Sequence, residues 1–348
     1  MSVGIIIPTT FSGAQAKIVI NGAGATFPFP LIDTWRVDYK TVKPDVDINY
    51  QSIGSGGGVK QFTAKTVDFG ASDAPLTAQE MQAAPNAVHI PETIGSVVAA
   101  YNVPSIPEKG LKLTGEVLAD IFLGKITKWN DPKIASLNPG KTLPGDNIVT
   151  VHRSDGSGTT FVWTDYLSNV SSAWNQQVGR GKAVQWPTGI GAPGNEGVAN
   201  AIKGTANTIG YIELTYALTT NTPFAFMKNK DGNFVEPSLE STRAAVESIS
   251  GSLPKGDQPW TNVTMVNAPG NNSYPIASFS YILLFKELGT NPSIDQAKAK
   301  SIVDFLSWAI TDGQKTAEKL NYVPLPDNVV KLDQDTLKSL TFKGSPVT

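Results

Sequence analysis

Cysteine is absent from the 348 residues. That absence excludes a disulfide framework, a thiolate metal site, a cysteine nucleophile and a lipid carried on a cysteine of this chain. It leaves export open, because a chain of this length buries enough core to be stable without disulfides. Histidine is almost absent as well. His89 and His152 stand far apart and give a histidine zinc site or a Ser-His-Asp triad little material. Charge is sparse: charged residues make up 17% and the formal net charge is -2, which argues against a basic nucleic-acid surface and against an acidic disordered tract. No apolar run approaches the roughly 18 residues needed to span a bilayer.

A hydrophobic content of 40% and this length predict two domains rather than one core. Residues 1–16 are set apart from them. A short apolar stretch at 3–7 precedes Ala14-Gln15-Ala16, a small-x-small pattern expected before a signal-peptidase cut, with no Lys or Arg before Lys17. The segment reads as a residual export signal or a disordered N-terminus. From Lys17 onward strands and helices alternate. Ile18, Val19 and Ile20 form an apolar strand, Gly22-Ala23-Gly24-Ala25 a tight loop, and Leu31, Ile32, Trp35 and Tyr39 recur at helical spacing. The unit repeats with Val46, Ile48 and Tyr50, a turn at Gly54-Ser55-Gly56-Gly57-Gly58 and a helix over 59–66. A third strand around Phe69 ends at Ser72-Asp73-Ala74-Pro75.

Further on, the pattern predicts a strand at 93–102, a helix at 115–123 and a strand at 148–152. That last strand runs into Arg153-Ser154-Asp155-Gly156-Ser157-Gly158-Thr159-Thr160 and an amphipathic helix. A helix at 198–203, a strand near 209–212, a strand at 276–285 and a helix at 297–310 follow. Residues 220–273 lose clear period and read as surface excursions. Alternating strands and helices imply mostly parallel sheets with helices on both faces, and ligands at the carboxyl ends of the strands.

Three loops there share one chemistry. Ala25-Thr26-Phe27, Gly54-Ser55-Gly56 and Ser157-Gly158-Thr159 each open a helix with a hydroxyl residue and with glycine in the loop or, for the first, just before it at Gly24. A helix start offers unpaired N–H groups and partial positive charge, glycine allows close approach, and a hydroxyl adds an adaptable donor. Singly, each fits an ordinary turn or helix cap. Gly22-x-Gly24 resembles a dinucleotide loop, but Phe27 occupies the third glycine position, and Lys60 is misplaced for a P-loop lysine. Jointly they describe a cradle for a tetrahedral oxyanion. Arg153 can fork two donors onto it, with Asp155 fixing the guanidinium plane. Asp73 would repel a fully ionised anion but can accept a hydrogen bond from hydrogen phosphate, which sulfate cannot offer. A cap for the chain at Ala74-Pro75 is the plainer role for Asp73.

At these residues the sequence closely resembles the PstS-type phosphate-binding proteins, the substrate-binding components of the phosphate ABC importer. The matching segments are Gly22-Ala23-Gly24-Ala25-Thr26-Phe27-Pro28, Gly54-Ser55-Gly56-Gly57-Gly58-Val59-Lys60-Gln61, Val67-Asp68-Phe69-Gly70-Ala71-Ser72-Asp73-Ala74-Pro75 and Arg153-Ser154-Asp155-Gly156-Ser157-Gly158-Thr159. Stretches at 121–129, 209–211 and 305–308 are also similar, so the likeness runs over about 20–330. It implies a two-lobed α/β fold of the periplasmic-binding-protein type (type II), with lobe I at 17–95 plus 270–348 and lobe II at 96–269. Crossings are expected near 93–98 and 265–275. It implies that Thr26, Phe27 through its backbone, Ser55, Asp73, Arg153, Ser157, Gly158 and Thr159 contact phosphate, and that Asp155 orients Arg153. Gly56 departs from members that carry a second serine there.

The resemblance further implies an exported protein, periplasmic or at the cell surface, most simply a monomer. It would hand inorganic phosphate to a membrane permease and its ATPase, with no nucleic acid, cofactor or metal and no enzymatic activity. Two other readings remain beside it. One is a receptor for another oxyanion such as sulfate or molybdate, against which Asp73 argues. The other is an exported hydrolase with Ser55 or Ser157 as nucleophile, for which only His152 is placed as a base and neither serine sits in a Gly-x-Ser-x-Gly elbow.

Overall fold

The computed structural model describes residues 17–249, 251 and 253–347, so the reading of residues 1–16 lies outside the described residues. The strands, in chain order, are β1 Ile18–Gly24, β2 Val46–Ser52, β3 Phe69–Ser72, β4 Ala87–Asn102, β5 Lys112–Leu113, β6 Val149–Arg153, β7 Ile190–Ala192, β8 Thr208–Glu213, β9 Phe226–Lys228, β10 Phe234–Val235, β11 Ala277–Phe285, β12 Thr341–Phe342 and β13 Ser345–Pro346. Eight of them join in one sheet of order β2-β1-β3-β11-β4-β8-β6-β7, and β10-β9-β5 make a small second sheet. At one end β1 runs parallel to β2 and β3; at the other β6 runs parallel to β8 and β7. Between them β11 and β4 run antiparallel to their neighbours.

The middle of the sheet is one long strand with two allegiances. Residues 87–96 of β4 pair with β11, and residues 97–102 pair with β8. Buried on both faces, β4 reads as a nearly continuous run of enclosed residues, as strands covered by helices do. It begins earlier than the expected residue 93 because Pro91 is tolerated in the ladder. The register slips between Ser280 and Tyr281 of β11, so Thr93 faces Ser280 and Pro91 faces Tyr281, leaving Glu92 as the extra residue of a bulge.

Helices cover both faces. In the helix Phe29–Val42 the buried set is Leu31, Ile32, Trp35 and Tyr39, the stripe expected from the spacing. The Trp35 indole donates to the Gly313 carbonyl at 2.8 Å. Burying an indole removes roughly 150–250 Å² from water, which stabilises the fold by about 4–6 kcal/mol before entropy is charged against it.

Two sequence expectations are corrected. Gly54 to Gly58 do not form a turn: a helix spans Ser55–Thr63, because burying Val59 and Phe62 outweighs the poor helix propensity of its glycines. Residues 220–273 are not only surface excursions. They contain β9, β10 and the helix Leu239–Glu247, and they send Trp260, Met265 and Val266 into the core.

Candidate functional site

The parallel strands deliver their C-terminal loops to one place from both ends of the sheet. Thr26 follows β1, Ser55 follows β2, Asp73 follows β3, and Arg153 with its loop closes β6. A further loop, Pro193-Gly194-Asn195, follows β7 and opens the helix Gly194–Gly204. The two groups of loops touch. Gly56 N–H donates to the Gly156 carbonyl at 2.9 Å, and Gly158 N–H donates to Ser55 Oγ at 3.0 Å.

Three hydroxyls here share an unusual electronic situation. Ser55 Oγ accepts from Asp73 N at 3.2 Å and Gly158 N at 3.0 Å. Thr26 Oγ1 accepts from Asn195 N at 3.2 Å and Asn195 Nδ2 at 2.7 Å. Thr159 Oγ1 accepts from Asn195 Nδ2 at 3.2 Å and Arg153 Nη1 at 3.4 Å. A hydroxyl has two lone pairs and one hydrogen, so each of these oxygens has its acceptor capacity engaged and keeps only its proton to offer. All three are buried. The Ser55 proton has a long contact to Asp73 Oδ2, at 3.5 Å.

Arg153 supplies the positive charge. Its side chain is 1% exposed, and Asp155 holds it bidentately, Nε to Oδ1 at 2.8 Å and Nη2 to Oδ2 at 2.6 Å. That geometry fixes the plane and turns Nη1 toward Thr159. Burial opposes the ionisation of Asp155, but the hydrogen bonds and charge of Arg153 outweigh it and hold its pKa below the usual carboxylate range. Gly54 serves this pair: its φ is +82°, and a Cβ there would stand 2.2 Å from Asp155 Oδ2.

Ser157 caps the helix Gly158–Val170, its Oγ accepting from Thr160 N at 3.0 Å, so the plainer cap role is realised and one lone pair is used. Gly158 must lack a side chain, because a Cβ would lie 2.5 Å from both Asp73 Oδ2 and Ser55 Oγ. Phe27 is wholly enclosed, and its carbonyl accepts from Tyr322 OH at 2.6 Å, which fixes the first loop. Gly56 is where the second serine of some family members would stand; here a Cβ would come within 3.0 Å of the Gly156 Cα across the junction.

Asp73 is the acceptor among these donors. It is 1% exposed, and its Oδ1 accepts from Ser280 Oγ at 2.9 Å. Burial drives its pKa up to about 7, while Ser280, Arg153 and Ser55 pull it back.

Hydrogen bonds therefore join Ser55, Asp73 and Gly158 in one set and Thr26, Thr159, Arg153 and Asp155 in an adjoining one, with Phe27 and Ser157 beside them in the chain. Asn195 is the residue the sequence reasoning missed. It joins Thr26 to Thr159 and accepts from Glu213 N at 3.0 Å. Its signal was available, since Gly194-Asn195 at a strand-to-helix junction repeats the pattern of the other loops. Among the described residues no cluster of His, Cys, Asp and Glu could hold a metal ion, and no helix is long and apolar enough to cross a membrane.

A family model described as PBP superfamily domain matches residues 12–312, so the chain belongs to the superfamily of two-lobed solute-binding proteins. Within it, the chain is a member of the PstS phosphate-binding proteins. It is 46% identical over 334 residues to the phosphate-binding protein PstS of Pasteurella multocida, covering 96% of this chain and 94% of that one. It is 47% identical over 321 residues to the PstS of Xylella fastidiosa, covering 92% and 85%. A solved phosphate-binding protein from Stenotrophomonas maltophilia shares the fold at a TM-score of 0.69 and 18% identity, covering 93% of this chain and 99% of that chain.

Proposed function

We propose that this protein is an extracytoplasmic receptor that binds inorganic phosphate as hydrogen phosphate and delivers it to an ABC-type phosphate importer. The observation that carries this reading is the set of three hydroxyls with engaged lone pairs, beside Arg153 and one buried acceptor, Asp73. Thr26, Ser55 and Thr159 donate through their protons, Phe27 brings a backbone N–H group close, Gly158 lets the cradle close by lacking a side chain while its N–H holds Ser55, and Ser157 adds a hydroxyl at a helix N-terminus. Arg153, held by Asp155, takes adjacent oxygens. Asp73 accepts the ligand's own hydrogen.

Residues 17–95 with 270–348 form one lobe and 96–269 the other, with β4 and the return near 265–275 as the crossings. Bound phosphate bridges them and stabilises the closed form, which the permease and its ATPase recognise. The protein works as an exported monomer, in the periplasm or at the cell surface, and catalyses no reaction. In support of the last point, Ser55 receives hydrogen bonds from N–H groups, and the histidines are engaged elsewhere. His89 Nε2 accepts from Leu76 N at 3.0 Å, and His152 stacks on Trp186 at 4.8 Å. Calorimetric titration with inorganic phosphate, with X-ray scattering in parallel, tests the reading. Saturable one-to-one binding with compaction is expected; absence of heat at millimolar phosphate would overturn it.

A further inference from the structure

The bulge in β4 sets a second carboxyl behind Asp73. Bulges re-aim side chains near functional sites, and the residue inserted here is Glu92. Glu92, Ser280 and Asp73 are all enclosed, at 1%, 0% and 1% exposure. Ser280 Oγ stands 2.9 Å from Glu92 Oε1 and 2.9 Å from Asp73 Oδ1. A serine hydroxyl has one hydrogen and can satisfy one carboxyl only. The other short contact sets acceptor against acceptor unless the second carboxyl brings a proton.

The surroundings decide which carboxyl that is. Arg153 faces Asp73 and favours its charged form. Glu92 Oε2 is buried with no hydrogen-bond partner, and an ionised carboxylate in that position would be poorly compensated. Burial first, and then the charge of Asp73, lift the Glu92 pKa to about 8 against the opposing hydrogen bond with Ser280, and no cation adds to that opposition. Burial likewise raises the pKa of the other titratable groups nearby, Tyr50, Tyr281 and Glu213, and so favours their neutral forms. Gln314 Nε2 donates to the Glu92 backbone carbonyl at 3.0 Å, which leaves the side chain to Ser280.

Resting on the phosphate reading above, we propose that Glu92 is a positioning residue for ligand selection. Its neutral carboxyl donates from Oε1 to Ser280 Oγ, and Ser280 donates to Asp73 Oδ1. Asp73 is thereby kept an ionised acceptor whose Oδ2, on the side of Ser55 and Gly158, receives the ligand's hydrogen. The relay runs in one direction, and the proton that would otherwise neutralise Asp73 is stored one residue away from it. Nothing in the loop motifs announces it, since Glu92 and Ser280 lie on strands.

The test compares infrared spectra and binding of the full-length wild type and Glu92→Gln, both saturated with phosphate at pH 7. The Gln amide can donate to Ser280 from the same position. The wild-type minus Glu92→Gln spectrum is expected to contain a protonated-carboxyl C=O band, while phosphate affinity stays within about threefold and sulfate is still rejected. Glu92→Leu, which removes the donor, is expected to bind phosphate roughly tenfold more weakly. A carboxylate band in the difference spectrum, or a Glu92→Leu protein that binds as the wild type does, overturns the relay while leaving phosphate binding intact. Failure of the wild type itself to bind phosphate overturns the functional reading instead. Should Glu92→Leu not fold, the spectrum of the isosteric variant still decides.

Discussion

Ser55→Ala isolates what one hydroxyl does where the two groups of loops meet. Ser55 Oγ accepts from Asp73 N at 3.2 Å and Gly158 N at 3.0 Å and is wholly buried. Alanine removes both acceptor sites and a donor to the ligand. A buried N–H left unpaired costs about 1–3 kcal/mol, so the two together cost about 2–6 kcal/mol, less whatever entering water restores. Gly158 lies across the junction from Ser55, and in an open form its N–H is wetted, so this share falls on closure alone. A net loss of about 2.7 kcal/mol corresponds to a phosphate affinity roughly 100-fold weaker. The unliganded protein should melt within a few degrees of wild type, while the rise in Tm produced by a fixed phosphate excess should shrink by the equivalent of about 2.7 kcal/mol. Calorimetry and thermal melts with and without phosphate measure both. Affinity within threefold of wild type would refute the account of Ser55 as a junction acceptor.

Other consequences follow from single residues. Gly158→Ala places a methyl 2.5 Å from Asp73 Oδ2 and Ser55 Oγ, so phosphate binding should fall by roughly 100-fold while circular dichroism is unchanged. Asp73, with its pKa raised to about 7 by burial, is ionised above that pH and neutral below it, where it can donate rather than accept; sulfate affinity should therefore rise as pH falls from 8 to 6, measured by calorimetry. Asp333 is buried with both carboxyl oxygens lacking hydrogen-bond partners, and burial alone raises its pKa well above the usual value. The folded state then binds a proton that the unfolded state releases, so stability falls as pH rises above the unfolded carboxyl range. Asp333→Asn should therefore raise the denaturation midpoint at pH 7, and the gain should vanish near pH 4, about the unfolded carboxyl range.

The loops were legible because their chemistry is local. Glycine, hydroxyl and strand-to-helix order are all visible within a few residues, and they placed Thr26, Ser55 and Ser157 at helix starts. Arg153 and Asp155 were legible as a pair for the same reason. What the sequence hid depends on distant packing. The helix Ser55–Thr63 begins inside a glycine run because Val59 and Phe62 find a core, which propensity alone does not report. The first six residues of β4 lie outside the expected strand at 93–102; they include Pro91, which the bulge opposite Ser280 and Tyr281 accommodates in the ladder. That same bulge aims Glu92 at Ser280. Asn195 had the right local pattern, but its two Nδ2 bonds to Thr26 and Thr159 span 169 and 36 residues of sequence.

Asp73 makes a phosphate site out of an oxyanion cradle only if it discriminates by the ligand's proton, and calorimetric titration of the wild type at pH 8 with phosphate, arsenate and sulfate tests that most directly. Phosphate and arsenate, which carry a proton there, should both bind, and sulfate should bind weaker by on the order of 10⁴-fold or more. Sulfate binding as tight as phosphate would contradict it.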